Sequence, residues 1–292
     1  MLTHIPRNMF ARLASNPWRL GLILLIMLPV LWASLYSLAV SCGAVGRLSK
    51  GWTFEHWHQA ILDGFLLRTI SHSVYIAGTV TCIVIGTALC VASFLPRLRH
   101  SRLLWIMLFV QSGTPAVVVA AQTMHWVGGG GLLSRLAFHS GLVLSPNDFP
   151  AVIRDEWSIG IVFAISLTLL PLALLYFTHL WDAIGFDRFC QLAEQLGCTP
   201  WQAKLRVAGP MMIQRGSPLM VLIFLLALGS YEIPLLLDRQ SPQMFSVAIQ
   251  QREESFNLLN RPQSFALATI YFVACSGLLI LYFRLQGIGD ER

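Results

Sequence analysis

The side chains that most often carry chemistry are few and dispersed in this chain. Of its 292 residues, 14 are Asp or Glu, eight are His and six are Cys. No H-E-x-x-H pair sets two imidazoles on one helix face, and no G-x-S-x-G turn presents a serine nucleophile. Cysteines 42, 82, 90, 190, 198 and 275 include no C-x-x-C pair, which excludes a zinc knuckle and a disulfide framework. Gly128-Gly129-Gly130-Gly131 is glycine-rich enough to cradle a phosphate, but Leu132 and Leu133 follow where a phosphate loop needs Lys and Ser or Thr. His56 and His58 flank Trp57, a spacing that points them to different sides of a helix. No catalytic constellation, metal site or bound cofactor is expected of this chain.

One acid stands out by its surroundings. Glu232 lies inside a long apolar stretch that begins at Pro218. Fourteen helical steps of about 1.5 Å place it about 21 Å along such a helix, where an ionisable group is costly and marks a functional position. Its neighbour Tyr231 adds an aromatic face, so the pair suits a cationic solute through charge and cation–π attraction. Gln111, Thr114 and Gln122 are polar groups inside another apolar stretch and are the further candidates for a polar path. Pro115 and Pro171 free backbone carbonyls within such stretches, tolerable only where neighbours or a cavity satisfy them.

The stretches that hold these residues are membrane-spanning by composition. The chain is 55% hydrophobic and 12% charged, against about 25% charged in soluble domains, and its mean hydropathy is +0.65. Six stretches have about the 20 apolar residues needed to cross a bilayer: 20–40, 69–95, 103–127, 158–180, 218–237 and 263–283. The expected fold class is therefore an all-α polytopic membrane protein of six transmembrane helices, a single transmembrane domain over 1–292. The first stretch exceeds the apolar region of a signal peptide, so it reads as an anchor.

Lys and Arg divide unevenly between the two sides. Twelve, including Arg7, Arg12, Arg97, Arg99, Arg102 and Arg292, fall on the side of the termini; eight, including Arg47 and Lys50, fall on the other. Pro96–Arg102 alone holds three arginines in seven residues. The positive-inside rule then makes both termini cytoplasmic. The net charge of +6 is spread along the membrane border, which argues against nucleic-acid binding.

The inner loop 181–217 reads as helix, break, helix. Asp187 is expected to cap a first helix with Phe189, Leu192, Ala193 and Leu196 on one apolar stripe. Gly197 stands where a left-handed C-terminal cap is wanted. Thr199-Pro200-Trp201-Gln202 is a capping box with proline at the first helical position, so a second helix starts there, limited by Pro210. An apolar face on such a loop is either packed on the chain's own helix ends or a docking element for a cytoplasmic partner; the physics does not separate the two.

Gln191-Leu192-Ala193, three residues, Gly197, nine residues, then Val207-Ala208-Gly209-Pro210 resembles the EAA loop, E-A-A-x(3)-G-x(9)-I-x-L-P, of permease subunits of bacterial ATP-binding-cassette (ABC) importers. Spacing is intact; Gln191 stands for Glu, Leu192 for Ala, Val207 for Ile and Gly209 for Leu. Leu196-Gly197-Cys198-Thr199-Pro200-Trp201-Gln202 is similar to the family's continuation. The stretch Gly229–Leu237 resembles permeases for polyamines, ferric iron, thiamine and phosphonates. The resemblance implies a type I importer permease in the bacterial inner membrane, half of a translocation pathway for a small solute such as a polyamine. It implies a cytoplasmic ATPase that uses ATP and Mg, a second permease subunit and a periplasmic solute-binding protein as partners. Gln191, Leu192, Ala193, Leu196, Gly197, Thr199, Trp201, Val207 and Pro210 are then the ATPase-coupling residues. The alternative is a non-transporting scaffold or regulatory protein that recruits a partner through the same loop.

Overall fold

A computed structural model describes residues 17–45, 51–53, 57–58, 65–145, 148, 150, 152–239, 241–255 and 260–289. Arg7, Arg12, Arg47, Lys50, His56 and Arg292, on which parts of the charge and histidine readings rest, lie outside them. Among the described residues every regular element is helical. They fall into two compact units, 1–65 with 249–292, and 66–248.

The first unit is built from α1 (Pro17–Ser41) and α12 (Asn260–Gly289), which pack along each other. Ser37 Oγ donates to the Phe265 carbonyl at 3.2 Å and lies 3.0 Å from Thr269 Oγ1, while Tyr36 meets the Phe265 ring edge-on. Small hydroxyl residues at a helix contact let backbones approach closely in lipid. The outward face of α1 is exposed Leu, Ile and Trp, which is stable only against hydrocarbon.

The second unit holds α2 (Phe65–Phe94), α3 (Pro96–Arg99), α4 (Arg102–Ser112), α5 (Ala116–Val127), α6 (Leu132–His139), α7 (Ile159–Ile184), α8 (Phe186–Gln195), α9 (Pro200–Leu228) and α10 (Glu232–Leu237), with α11 (Phe245–Glu253) starting at its end. Half of the apolar stretch of α7 is buried, more than in any other span, so α7 is the central helix of this unit. Helices α4, α5, α9 and α10 pack on it, and α10 also packs on α5. Phe177 and Trp181 of α7 and Ile76, Ala77 and Val80 of α2 are fully enclosed in the shared core.

Among the described residues six helical stretches are long and apolar enough to cross a membrane, which makes the chain a multi-pass membrane protein. Four match the expected spans to within a few residues. Two differ. The stretch 103–127 is two helices, α4 and α5, broken at Gly113–Pro115. Pro115 has no N–H and disfavours helix at the residue before it, so α4 stops. The break is satisfied locally: Thr114 Oγ1 donates to the Val110 carbonyl at 3.0 Å and Ser112 Oγ to that of Phe109 at 2.9 Å. At 11 and 12 residues, neither helix spans about 30 Å of hydrocarbon by itself; the stretch long and apolar enough is Ala116–His139, α5 together with α6, and α4 is a shorter apolar helix before it.

The stretch 218–237 differs more. Its helix begins at Pro200 rather than Pro218 and ends at Leu228. Pro218 sits inside it, and the Gln214 carbonyl that the proline leaves free accepts from Ser217 Oγ at 2.8 Å. After the turn at Gly229 and Ser230, α10 is a separate six-residue helix. Pro171, by contrast, lies inside the unbroken α7.

Candidate functional site

The geometry of 181–217 starts at Gly185. With a φ of 73° it is the single residue between the end of α7 and the start of α8, a conformation that glycine takes without Cβ strain. Asp187 therefore does not cap α8, as the sequence had led us to expect; it is in the first turn, and its side chain bonds elsewhere. The expected stripe also divides. Phe186, Cys190 and Ala193, at i, i+4 and i+7, form the inward row and are buried. Phe189, Leu192 and Leu196 form the outward row and are 40%, 56% and 87% exposed. Burial pushes the Cys190 thiol pKa up, so it packs as a neutral small apolar group.

The turn out of α8 has the left-handed cap. Gly197 has φ 95°, its N–H reaches the Glu194 carbonyl at 3.0 Å, and the Cys198 N–H reaches that of Ala193 at 3.1 Å. These two bonds make a Schellman motif, which satisfies the last carbonyls of the helix. Two residues on, Thr199 Oγ1 accepts from the Gln202 N–H and Gln202 Oε1 accepts from the Thr199 N–H, both at 3.3 Å. Helix α8 is thus tied at its exit, and α9 at its entry, by four hydrogen bonds within ten residues.

Pro210 does not end the second helix. From Ala203 to Ala208 the helix widens to π geometry and then continues to Leu228 as α-helix. A proline lacks the N–H for the i−4 carbonyl and its ring would clash there; the wide turn accommodates it, with the Gly209 N–H reaching back five residues to Lys204. Helix α8 packs on this widened segment. Trp201 stacks on Phe94 at a centroid distance of 4.3 Å, and the Lys204 ammonium lies 5.5 Å over the same ring. The loop's second helix and the fifth span are one rod of 29 residues, about 44 Å long.

The corner therefore gathers its sequence candidates unevenly. Gln191, Leu192, Leu196, Gly197, Thr199, Trp201 and Pro210 are exposed, Val207 is half-buried, and Ala193 faces the core. What the composition left unmarked is the group that holds α8 in place. Arg99, read above only as a topology charge, is buried and reaches Asp187 at 3.2 Å and Asp182 at 3.6 Å. The Trp181 indole donates to Asp187 Oδ1 at 3.0 Å. The available signal was the pair of acids five apart across Gly185, facing a loop with three arginines.

The path candidates are more scattered. Glu232 is the first residue of α10, exposed, and beyond the end of the span helix rather than within it. Tyr231, immediately before it, is half-buried. Gln122 is exposed on α5, the helix that packs against α10. Gln111 and Thr114 lie on the other side of the Pro115 break, where the Gln111 side-chain amide nitrogen is buried without a partner. Among the described residues no three His, Cys, Asp or Glu gather as metal ligands.

At the end of the second unit away from α8, Asp238 accepts from the N–H groups of Arg239 and Met244 at 2.8 and 3.1 Å. Burial outweighs these bonds and pushes its carboxyl pKa up to about 6, with Asp155 adding repulsion. Phe245 N–H donates to Ser73 Oγ at 2.7 Å, and His72 Nε2 lies 2.9 Å from Ser158 Oγ.

No protein-family model matches the chain, and no curated protein matches it. Solved structures do. A chain of a bacterial alginate ABC transporter, determined with an alginate pentasaccharide-bound periplasmic protein, superposes with a TM-score of 0.62 at 16% identity, over 95% of this chain and 96% of that one. The fold is that of an ABC importer chain. A second structure, of a bacterial ABC transporter involved in import of the acidic polysaccharide alginate, gives the same TM-score, identity and coverage. At that identity the likeness concerns the fold, and it extends over nearly the whole chain rather than the 181–217 corner alone.

Proposed function

We propose that the chain is a permease subunit of an ABC importer and that the α8–Thr199 corner docks on a cytoplasmic ATPase. The observation that carries this reading is the continuity of α9. The capped corner, with Leu192 and Leu196 exposed on it, opens directly into a 29-residue helix that is long and apolar enough to cross the membrane. A push on the corner is then delivered to a membrane helix without an intervening flexible joint. On this reading the chain lies in a bacterial inner membrane with both termini cytoplasmic, and ATP and Mg are used by the partner. A second permease copy or homologue completes the pathway, and a periplasmic solute-binding protein delivers the solute. Gln191 replaces an acid with a group that still donates and accepts hydrogen bonds to the ATPase groove.

The Leu192→Asp/Leu196→Asp double variant tests it. These exposed side chains contribute little to the fold, so the variant should accumulate normally and lose co-purification with the co-expressed partner ATPase. Unchanged co-purification and uptake would overturn the coupling role.

For the solute, we propose a cation, on the strength of the exposed Glu232 beside Tyr231 at the α9–α10 break. Glu232→Gln should weaken uptake of a polyamine such as spermidine while leaving assembly intact. Equal uptake by both forms would remove Glu232 from the path.

A further inference from the structure

Arg99 belongs to the most basic loop of the chain, yet its side chain is only 6% exposed. A buried guanidinium is costly unless it is paired and hydrogen-bonded, so its partners identify what it is there to hold. They come from different elements. Nη2 reaches Asp187 in the first turn of α8 at 3.2 Å, Nε lies 3.6 Å from Asp182 in the last turn of α7, and Nη1 donates to the Ala92 carbonyl near the end of α2 at 3.3 Å. The guanidinium also lies 5.6 Å over the ring of Trp181, which is fully buried and donates to the other Asp187 oxygen. The Arg99 carbonyl accepts from the Trp105 indole of α4 at 2.9 Å. One residue thus joins the ends of α2, α4, α7 and α8.

The joint matters because α7 and α8 are linked by a single left-handed glycine. Gly185 adds no side-chain contact to fix the angle between the two helices. What sets that angle is the inward row of α8 and the clamp on Asp187. Arginine suits the task because its planar fork fixes direction as well as distance, which a lysine ammonium does not.

We propose that Arg99 is a positioning residue that makes α8 one rigid body with the ends of α2, α4 and α7. A displacement of α8 then has two routes into the membrane. One runs through the Gly197–Thr199 corner into α9; the other runs through Asp187 and Arg99 into α2, α4 and α7. Without Arg99 the second no longer reaches α2 and α4, and reaches α7 only through Gly185, the inward row of α8 and the Trp181–Asp187 bond. The transmission part of this inference rests on the ATPase-docking reading; the clamp itself does not.

Hydrogen exchange on the full chain in lipid nanodiscs tests the clamp without any partner. Arg99→Ala and Asp187→Asn should each speed exchange of the α8 amides about tenfold, and the double variant should add little, since both break the same Arg99–Asp187 pair that ties α8. Exchange over 209–228 should stay unchanged. Unchanged α8 exchange in Arg99→Ala would overturn the proposal. Should Arg99→Ala fail to accumulate, Arg99→Lys keeps the charge without the fork and should give a smaller rise in the same amides; wild-type exchange there would overturn it equally.

Transmission is read in the complex with the co-expressed ATPase, with ATP and vanadate as the probe. In the wild type, trapping should alter exchange over 92–105 and over 209–228. In Arg99→Ala the ATPase should still co-purify, the change over 209–228 should persist, and the change over 96–105, beyond the reach of the Trp201–Phe94 contact, should be lost. A merely stabilising role would diminish both together, and that result would overturn the transmission role. If no ATPase co-purifies with the wild type, the docking reading fails while the partner-free exchange result still decides the clamp.

Discussion

The aromatic ring of Phe177 on α7 lies against the backbone of Gly216 on α9, occupying the space where a Cβ on Gly216 would stand. Phe177 is fully buried, so its ring cannot swing aside into lipid. The two helices owe their close approach to the missing side chain, the same principle by which small residues set helix contacts in membranes. The residue before each reinforces it, since Tyr176 Oη donates to the Arg215 carbonyl at 3.2 Å.

Gly216→Ala should therefore destabilise the second unit by about 1–3 kcal/mol, the usual cost of overpacking a filled core. The check is thermal denaturation in detergent. Phe177→Leu added to Gly216→Ala should recover part of the loss, because the smaller side chain vacates the contested space; a double variant no better than Gly216→Ala would count against the clash.

The corner offers a second test. At Gly197 a φ of 95° strains any residue with a Cβ, although nothing else crowds the site. Gly197→Ala should weaken the α8 exit by about 1–2 kcal/mol through backbone strain alone. Thr199→Ala, which removes the side-chain half of the capping box, should cost about 1 kcal/mol at the α9 entry. Hydrogen exchange of the Cys198 and Gln202 amides should separate the two effects.

These caps were legible in the sequence because they are local: Gly197, Thr199, Pro200 and Gln202 specify their bonds by spacing alone. The spans were legible for a related reason, since lipid imposes a length and a composition on any helix that crosses it. What escaped was non-local. Arg99 reads as an orientation charge until Asp187 and Trp181, more than 80 residues away, are folded beside it. Glu232 read as an acid in the outer third of a span because apolar residues continue on both sides of Gly229-Ser230, the short break at which the helix ends after Leu228. Pro210 read as a helix stop because a wide turn that absorbs a proline has no pattern of its own.

Asp238 gives a pH prediction with a definite sign. Its folded pKa, about 6, lies above the ordinary 3.8, so the folded state favours the protonated carboxyl. Its contribution to stability is full below about pH 4 and is lost as pH rises through about 6. Arg239 beside it and the two backbone N–H groups favour the charged form, and Asp155 opposes it. The melting temperature of the wild type should accordingly fall relative to that of Asp238→Asn between pH 4 and 7. A constant difference between the two across that range would show that this carboxyl does not titrate there.

Pro210 offers the most direct test of how the corner is joined to the membrane. The wide segment Ala203–Ala208 exists where a proline two residues on denies the helix one N–H and crowds a carbonyl. Restoring the N–H in Pro210→Ala removes both reasons for it, and α geometry should then spread back through the segment. Taking one residue out of a π turn changes the facing of everything upstream by about 100°, the angular step of one residue at 3.6 per turn. Trp201 would be carried off Phe94, and Lys204 with it. The expected outcome is a rod at least as stable as the wild type to heat but wrongly phased. Disulfide cross-linking between cysteines placed at 94 and 201 in a cysteine-free background should proceed readily when Pro210 is kept and poorly when Pro210→Ala is added. Equal cross-linking in both would mean that the packing of α8 on the segment, rather than the proline, maintains the wide turn.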